Sequence, residues 1–491
     1  MPLTIPLSRG RGPLFRQVYL GLREAILSDA FPGGQKLPST RSLAEELDIS
    51  RTVVLQAYDQ LLAEGFAAGR AGSGTYVSED VGRRRRVSAG DAVKPRLSRF
   101  GASADAACLR MNFPPRSASL PYDFAYGGSD LSTFPFEAWR RILLRCARTA
   151  PVSDHDYGPA AGSPPLREAI CAHLRRSRAV VSDASQVVVV NGSQQALDLI
   201  ARVLMERGDR AAIEEPCYQG TREVLRAAGA RLAPVAVDRD GLNPARLPAQ
   251  ARVVFVTPSH QVPTGATFPL ARRLELLEWA RRGNSMIVED DYDGEFCYQG
   301  QPVESLQGLD REGRVIYIGT FSRTVFSALR IGYLIAPKAL VPALTAAKWL
   351  CDRHTATLEQ EALAEFILSG MYERHLRRVR RRNAARRDAL LGAIRTHLAG
   401  CVEVSGDGAG AHIVLWPKRP IAEEAVIAAA ASQGVRVYGI SRYFLKQPAR
   451  TGIVLGYARM SEPEIREGIR RLGKALRGSS RFEPGPPRGI P

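Results

Sequence analysis

YIGTFSRTVFSALRIGY, residues 317–333, poses the question on which the fold turns. A β-branched apolar run, RVIYIG, stops in a turn of small residues. Two arginines seven apart, Arg323 and Arg330, follow, and a second apolar run, IGYLIAP, comes after them. Short apolar runs bounded by turn signals read as buried strands. The same pattern recurs upstream in SQVVVVNG, DRAAIEEPCY, ARLAPVAVD, RVVFVTPSH and SMIVEDDYDGEF, with helical stretches such as SQQALDLIARVLM between several of them. Fully apolar strands separated by helices imply a mainly parallel sheet covered on both faces. Ligands then bind at the carboxyl ends of the strands. The polar clusters NGSQ, EPCY, TPSHQ, EDDYD and GTFSR all fall there.

The chain has 491 residues, too many for one ordinary core, so two or more domains are expected. No apolar run approaches the length of a membrane span, and MPLTIPLSRGRGPLF lacks the apolar centre of a signal peptide. Seven cysteines without a CxxC pair suit a reducing cytoplasm. Seven histidines show no ligand spacing, so no metal is expected. The net charge of +18 invites a nucleic-acid reading. About seven lysines against some sixty arginines points instead to a compositional bias for most of that charge. Residues 1–78 carry roughly eight basic and seven acidic groups, residues 79–120 about nine and four. Charge alone therefore does not make the N-terminal part a DNA binder.

Pattern does more. LFRQVYLGLREAILSDA places Leu14, Val18, Leu22 and Ile26 on one helical stripe. FPGGQKLPS breaks it, and Ser39 can cap a short helix with Leu43 and Leu47 on one face. DIS makes a tight turn. Ser50 caps a third helix whose buried side holds Val54, Tyr58, Leu61 and Leu62, and Gly65 ends it. FAAGRAGSGTYV reads as two strands around a glycine tip. The succession is an α+β winged helix-turn-helix over residues 10–79. Ser50, Arg51 and Thr52 stand at the end that enters a major groove. Arg51 can read guanine or hold a phosphate, Arg41 starts the preceding helix, and Gly72 and Gly74 let the wing come close to the DNA backbone. A small solvated helical bundle is the alternative. The stretch resembles the GntR-type winged-helix domain in LPSTRSLAEEL, SRTVV and GSGTYV, and the resemblance implies binding to a double-stranded DNA operator.

Residues 80–120 lose periodicity and read as a basic, flexible linker. Arg83 to Arg86 either add nonspecific phosphate contacts or are simply solvated. Residues 479–491 read as a disordered tail. Arg374 to Leu391, RHLRRVRRRNAARRDALL, is a basic helix, either a solvated face packed by Leu376 and Leu390 or a contact for bent DNA.

In the C-terminal part, Gly192, Ser193 and Gln194 open a helix, where exposed amides suit a phosphate. Asp290 ends a buried strand and needs a cationic partner. Tyr292 follows on the same side, and Tyr218 could lie flat on a planar ring. Together these would suit a pyridinium phosphate. Residues 121–478 resemble a fold-type I aminotransferase, an α/β fold with a small α+β subdomain from about residue 375. Joined to the GntR-type head, the chain resembles the MocR-type regulators. That resemblance implies the cofactor pyridoxal 5′-phosphate, no membrane, a cytoplasmic location, a head-to-tail homodimer, and an effector related to amino acids or vitamin B6. It also implies roles. Tyr157 would reach the neighbouring subunit's cofactor phosphate, and NGSQQALDL would supply the phosphate turn. Tyr218 would stack on the ring. PSHQVPTG, with His260, would lie beside the phenolic oxygen, Val262 standing where an aromatic residue or asparagine is usual. Asp290 would pair the pyridine nitrogen and Tyr292 the phenolic oxygen. Thr320, Ser322 and Arg330 would hold the phosphate; for the substrate carboxylate SRYFLKQPARTGIVLGYA offers Arg442 and Arg450, with Arg450 favoured.

Arg323 departs from the pattern. The family places there the lysine whose amine bonds covalently to the cofactor aldehyde. A guanidinium stays protonated and is a poor nucleophile. No other lysine fills the role by pattern, since Lys338 and Lys348 lie past the next strand. Three states are open: noncovalent cofactor, a preformed cofactor–amine adduct, or an empty dimerisation scaffold. A working aminotransferase with a spare DNA-binding head is the enzyme alternative, and a ligand-independent DNA-binding dimer is the third class.

Overall fold

The computed structural model describes residues 5–8, 10, 12–81, 96–111, 120–150, 156–298 and 304–478, which fall into two units, Met1–Arg96 and Leu97–Pro491. In the first, the stripe on helix Leu14–Leu27 buries Val18, Tyr19, Leu22 and Ile26. Helix Thr40–Glu46 begins where the Ser39 hydroxyl accepts the Ser42 N–H at 3.0 Å. After the turn comes helix Arg51–Ala63, which buries Val54, Ala57, Tyr58 and Leu61. Leu62 was expected on that side and is exposed, because it sits about 100° around the helix from Leu61. Ser50 occupies the first cap position, but its side chain makes no capping bond. Strands Ala67–Arg70 and Gly74–Val77 form the antiparallel wing, to which Lys36 adds a bridge at Tyr76. Val18, Leu22, Leu43 and Leu61 are fully buried, each stabilising this small core by about 1.5–3 kcal/mol.

The span 80–120 was expected to lack regular structure, and part of it does not. Arg99–Met111 is a helix in the second unit. Its alanines favour helix but form no apolar stripe, and Ala107 is its buried residue, so periodicity could not reveal it. Polar contacts hold it. Arg110 places Nε and Nη2 at 2.9 and 2.6 Å from Glu223, a carboxylate 4 % exposed, and Arg202 lies over Phe100 at 5.4 Å. Arg83 to Arg86 and residues 479–491 lie outside the described residues.

The second unit is built on an eight-stranded sheet in the order Val187–Val190, Gly332–Ile335, Val315–Thr320, Met286–Asp290, Ala251–Val256, Arg210–Glu215, Arg231–Asp238, Gly241–Leu242. The five strands from Val315–Thr320 to Arg231–Asp238 pair in parallel. Gly332–Ile335 is antiparallel to both neighbours, and the short last strand closes a hairpin. The opening segment is therefore a strand, an arginine-bearing turn at the strand's carboxyl end, and an antiparallel return. A second sheet of four strands, Val402–Ser405, His412–Pro417, Ile453–Gly456 and Tyr438–Gly439, packs with helices Met371–His397, Glu423–Ser432 and Glu462–Gly478. The basic helix Met371–His397 buries Leu376 and Leu390. Several of its arginines are internal ties rather than a free face. Arg386 pairs with Asp130 at 2.9 Å and donates to Ala458 O at 2.7 Å, and Arg380 pairs with Glu295 at 2.6 Å.

Candidate functional site

At the carboxyl ends of the central strands lies a cavity of about 250 Å³. Ser193, Gln194, Tyr218, Asp290, Tyr292, Thr320, Ser322, Arg323 and Arg330 all line it, together with Tyr126, Gly127, Val262 and Ser327.

One end is built for an anion. Gly192 takes φ +86° as it leads into helix Ser193–Leu204, whose first amides have no partner within the helix. Arg330, at φ +54°, donates Nη2 to Asn191 O at 2.8 Å. A Cβ on Gly192 would come within 2.6 Å of that guanidinium, so only glycine leaves the room Arg330 uses. Thr320 Oγ1 accepts the Ser322 N–H at 3.2 Å, which folds the strand end toward the same place. Behind the turn, Asn191 and Gln195 each donate to Asp352 at 2.6 Å, and buried Lys348 pairs with Asp352 at 2.5 Å. Lys348 is thus a brace for the turn and does not line the cavity.

The other end holds a buried acid. Asp290 is 8 % exposed, and its Oδ1 has no hydrogen-bond partner among the described residues. Burial, then the neighbouring Asp291 and Asp293 carboxylates, push its pKa up to about 7, against the pull of Arg323. Tyr292 donates its hydroxyl to His260 O at 2.8 Å, and burial holds that phenol well above its ordinary range. Tyr218 precedes helix Gln219–Ala227 and is 38 % exposed at the cavity wall. An orphaned carboxylate oxygen facing a hydroxyl- and guanidinium-lined anion seat fits a phosphorylated ring with a protonated nitrogen.

Two expected residues, His260 and Arg450, lie elsewhere. His260 does not line the cavity. It is 1 % exposed behind Tyr292, with Nδ1 at 3.0 Å from both the Tyr292 hydroxyl and Asp293, and Gly410 covers it so closely that a Cβ there would collide. Arg450 is also outside, because its loop runs along the small sheet. It pairs with Glu403 at 2.7 Å over the Trp416 ring in a separate cleft. Tyr157 is 72 % exposed beneath Arg353 and does not line its own chain's cavity.

Sequence reasoning missed two residues. Tyr126, in FAYGG, carries the Arg323 guanidinium over its ring at 4.5 Å. Arg459 is exposed and lies against Gly128 so closely that a side chain there would collide with it. It stands beside Gly128, next to cavity-lining Gly127. An aromatic before a glycine pair was the available signal for the first. Histidine spacing also gave no hint that His260, Asp293 and His412 would converge, with one ligand-capable atom each within 4.8 Å. They are already engaged, His260 as above and His412 through Nε2 to Pro263 O at 2.9 Å.

In the first unit, Arg41, Ser50, Arg51, Thr52 and Gly74 are all exposed at the helix ends and wing. Arg51 Nε donates to Thr40 Oγ1 at 3.3 Å, which ties the recognition-helix start to the helix before the turn. Lys36 and Arg70 flank the Tyr76 ring at 5.9 and 4.6 Å and make the wing basic, a feature not read from sequence.

A winged helix-turn-helix and a unit of aminotransferase fold with a phosphate-type cavity define a transcription regulator built on an enzyme scaffold. Residues 14–77 match the bacterial regulatory proteins of the gntR family, and residues 125–472 match aminotransferase class I and II. The chain is 40% identical to the probable rhizopine catabolism regulatory protein MocR of Rhizobium meliloti, over 94% of both chains. It is 34% identical to the uncharacterized HTH-type transcriptional regulator YhdI of Bacillus subtilis (strain 168), over 95% of this chain and 96% of that one. Among solved structures, the α-aminoadipate aminotransferase LysN of Thermus thermophilus, complexed with N-(5′-phosphopyridoxyl)-L-leucine, matches with a TM-score of 0.70 and 27% identity, over 78% of this chain and 97% of that one. The chain belongs to the MocR-type regulators of the GntR family, DNA-binding transcription regulators with an aminotransferase-like domain.

Among the described residues no helix is long and apolar enough to cross a membrane.

Proposed function

We propose that this regulator binds an operator in the cytoplasm as a head-to-tail homodimer and senses a small molecule through a noncovalently held pyridoxal 5′-phosphate. Ser193, Thr320, Ser322 and Arg330 would hold the phosphate, Asp290 the ring nitrogen, Tyr292 the phenolic oxygen and Tyr218 the ring face. When bound, the cofactor supplies an electrophilic aldehyde on an electron-withdrawing ring. Arg323 cannot supply the deprotonated amine that bonds to it or shuttles protons, so the chain is a sensor and no transaminase. Tyr157, exposed and outside its own cavity, is free to serve the neighbouring subunit. Arg459 replaces Arg450 as the carboxylate-facing group at the mouth. The effector belongs with amino acids or vitamin B6, since the cavity is made for a phosphopyridine. In the first unit, Ser50, Arg51 and Thr52 meet bases and phosphates, while Arg41, Gly74 and the basic wing grip the backbone.

The observation that carries this reading is the unpartnered Asp290 oxygen in a cavity whose other end is an anion seat. Titration of the purified protein with pyridoxal phosphate tests it. The wild type should bind while keeping the absorbance of the free aldehyde, and Arg323→Lys should gain the visible band of a covalently bound aldehyde. Failure of both proteins to bind would leave the domain as a dimerisation scaffold.

A further inference from the structure

Among the described residues the Arg323 guanidinium has ring and backbone neighbours but no ion-pair partner. It lies 4.5 Å over the Tyr126 ring and 5.9 Å from that of Tyr292. Gly127, at φ +112°, runs beside it, and a Cβ there would stand 3.2 Å from its terminal nitrogen. The Tyr126 ring covers a face of the flat cation, and Gly127, lacking a Cβ, leaves open the space off its terminal nitrogens at the cavity. Among the described residues no carboxylate comes within ion-pair distance of it and no acceptor takes its N–H groups. Asp290 faces the same cavity and is equally unpartnered at Oδ1, yet the two do not meet. A half-buried guanidinium without acceptors is costly, and the partner that best fits its fork is a planar pair of anionic oxygens.

We infer that the cavity selects a phosphorylated pyridine bearing a carboxylate, which Arg323 grips, over the aldehyde and amine forms. The inference rests on the proposed function, that this cavity takes a ligand of the pyridoxal phosphate type. Each alternative substituent fits Arg323 worse. An aldehyde offers one neutral oxygen. A protonated amine brings a second cation against a guanidinium that cannot give up its proton. A carboxylate accepts two parallel N–H bonds, and hydrogen bonds of that kind are about twice as strong as neutral ones. The ligand so described has three recognition points: a phosphate at Arg330 and the Ser193 helix end, a ring N–H toward Asp290, and a carboxylate at Arg323.

Isothermal titration of the full-length protein with three probes tests this: pyridoxal 5′-phosphate, pyridoxamine 5′-phosphate and 4-pyridoxic acid 5′-phosphate. The carboxylate probe should bind about tenfold or more tighter than the other two. Arg323→Gln should lose that advantage and tolerate the amine probe at least as well as the wild type does. The ranking of probes on the wild type needs no variant, so a variant that fails to fold leaves the test intact. If all three bind the wild type equally, or the aldehyde binds best, the carboxylate inference is wrong and the cofactor-cavity reading stands. If none binds at concentrations where inorganic phosphate also fails, both are wrong.

Discussion

Replacing Asp290 with asparagine probes the cavity through folding stability. Burial and the flanking Asp291 and Asp293 carboxylates raise the Asp290 pKa from 3.8 to about 7. An acid whose folded pKa is raised holds its proton more tightly in the folded than in the unfolded chain. The folded protein therefore loses stability as pH rises from about 4 to about 7, and the loss is complete above that window. A rise from 3.8 to about 7 is worth roughly 4 kcal/mol. Asparagine keeps the shape and carries no charge. Ligand-free Asp290→Asn should match the wild type near pH 4 and be more stable by a few kcal/mol at pH 8. Urea unfolding at a series of pH values, with and without pyridoxal phosphate, measures both effects. At one hundred times its dissociation constant the ligand should add about 2.7 kcal/mol to the wild type, and much less to the variant at the same concentration. Superimposable pH dependences for the two ligand-free proteins would refute the reasoning, because the acid would then be neither isolated nor strained by its surroundings.

Three further outcomes are expected. Arg51→Ala should weaken operator binding by about 1–3 kcal/mol if the guanidinium reads a base, and in gel-shift titrations it should relax preference at one operator position. Gly192→Ala should cut affinity for pyridoxal phosphate by more than tenfold, because φ +86° is strained for alanine and its methyl would collide with Arg330. Arg110→Ala should free the helix Arg99–Met111 from Glu223, seen as faster tryptic cleavage between residues 96 and 111 with unchanged melting of the main sheet.

Strands and recognition elements were legible because their signals are local. Val187–Val190 is apolar throughout and Val315–Thr320 is so up to its last residue, and both faces of these runs are buried. The cavity residues at their carboxyl ends were legible for the same reason, since strand ends fix position without knowledge of distant packing. What failed depended on where loops go. His260 and Arg450 lie on segments whose course is set by contacts with the small subdomain, Gly410 in one case and Glu403 with Trp416 in the other. Arg459 follows the buried strand Ile453–Gly456 by only three residues, and strand-end reasoning applied there would have found it. The helix Arg99–Met111 was hidden because it is held by one buried carboxylate rather than by an apolar face.

That helix also bears on the cavity. Glu223, which grips Arg110, lies on helix Gln219–Ala227, and that helix starts at cavity-lining Tyr218. Its neighbour Arg222 donates to Phe444 O at 2.8 Å, and Gln219 to Arg442 O at 2.8 Å, so one short helix touches the cavity wall, the small subdomain and the segment leading from the DNA-binding unit. Gln194, at the anion seat, reaches the same helix through Gly220 O at 3.4 Å. A ligand that reorders Tyr218 or Gln194 would act on the helix that holds Arg99–Met111 through Glu223. On the proposed reading, Arg323 would remove covalent chemistry and leave these contacts whole. Sensing of the kind proposed would need no covalent chemistry, because it requires only a difference in binding free energy between two states of the protein.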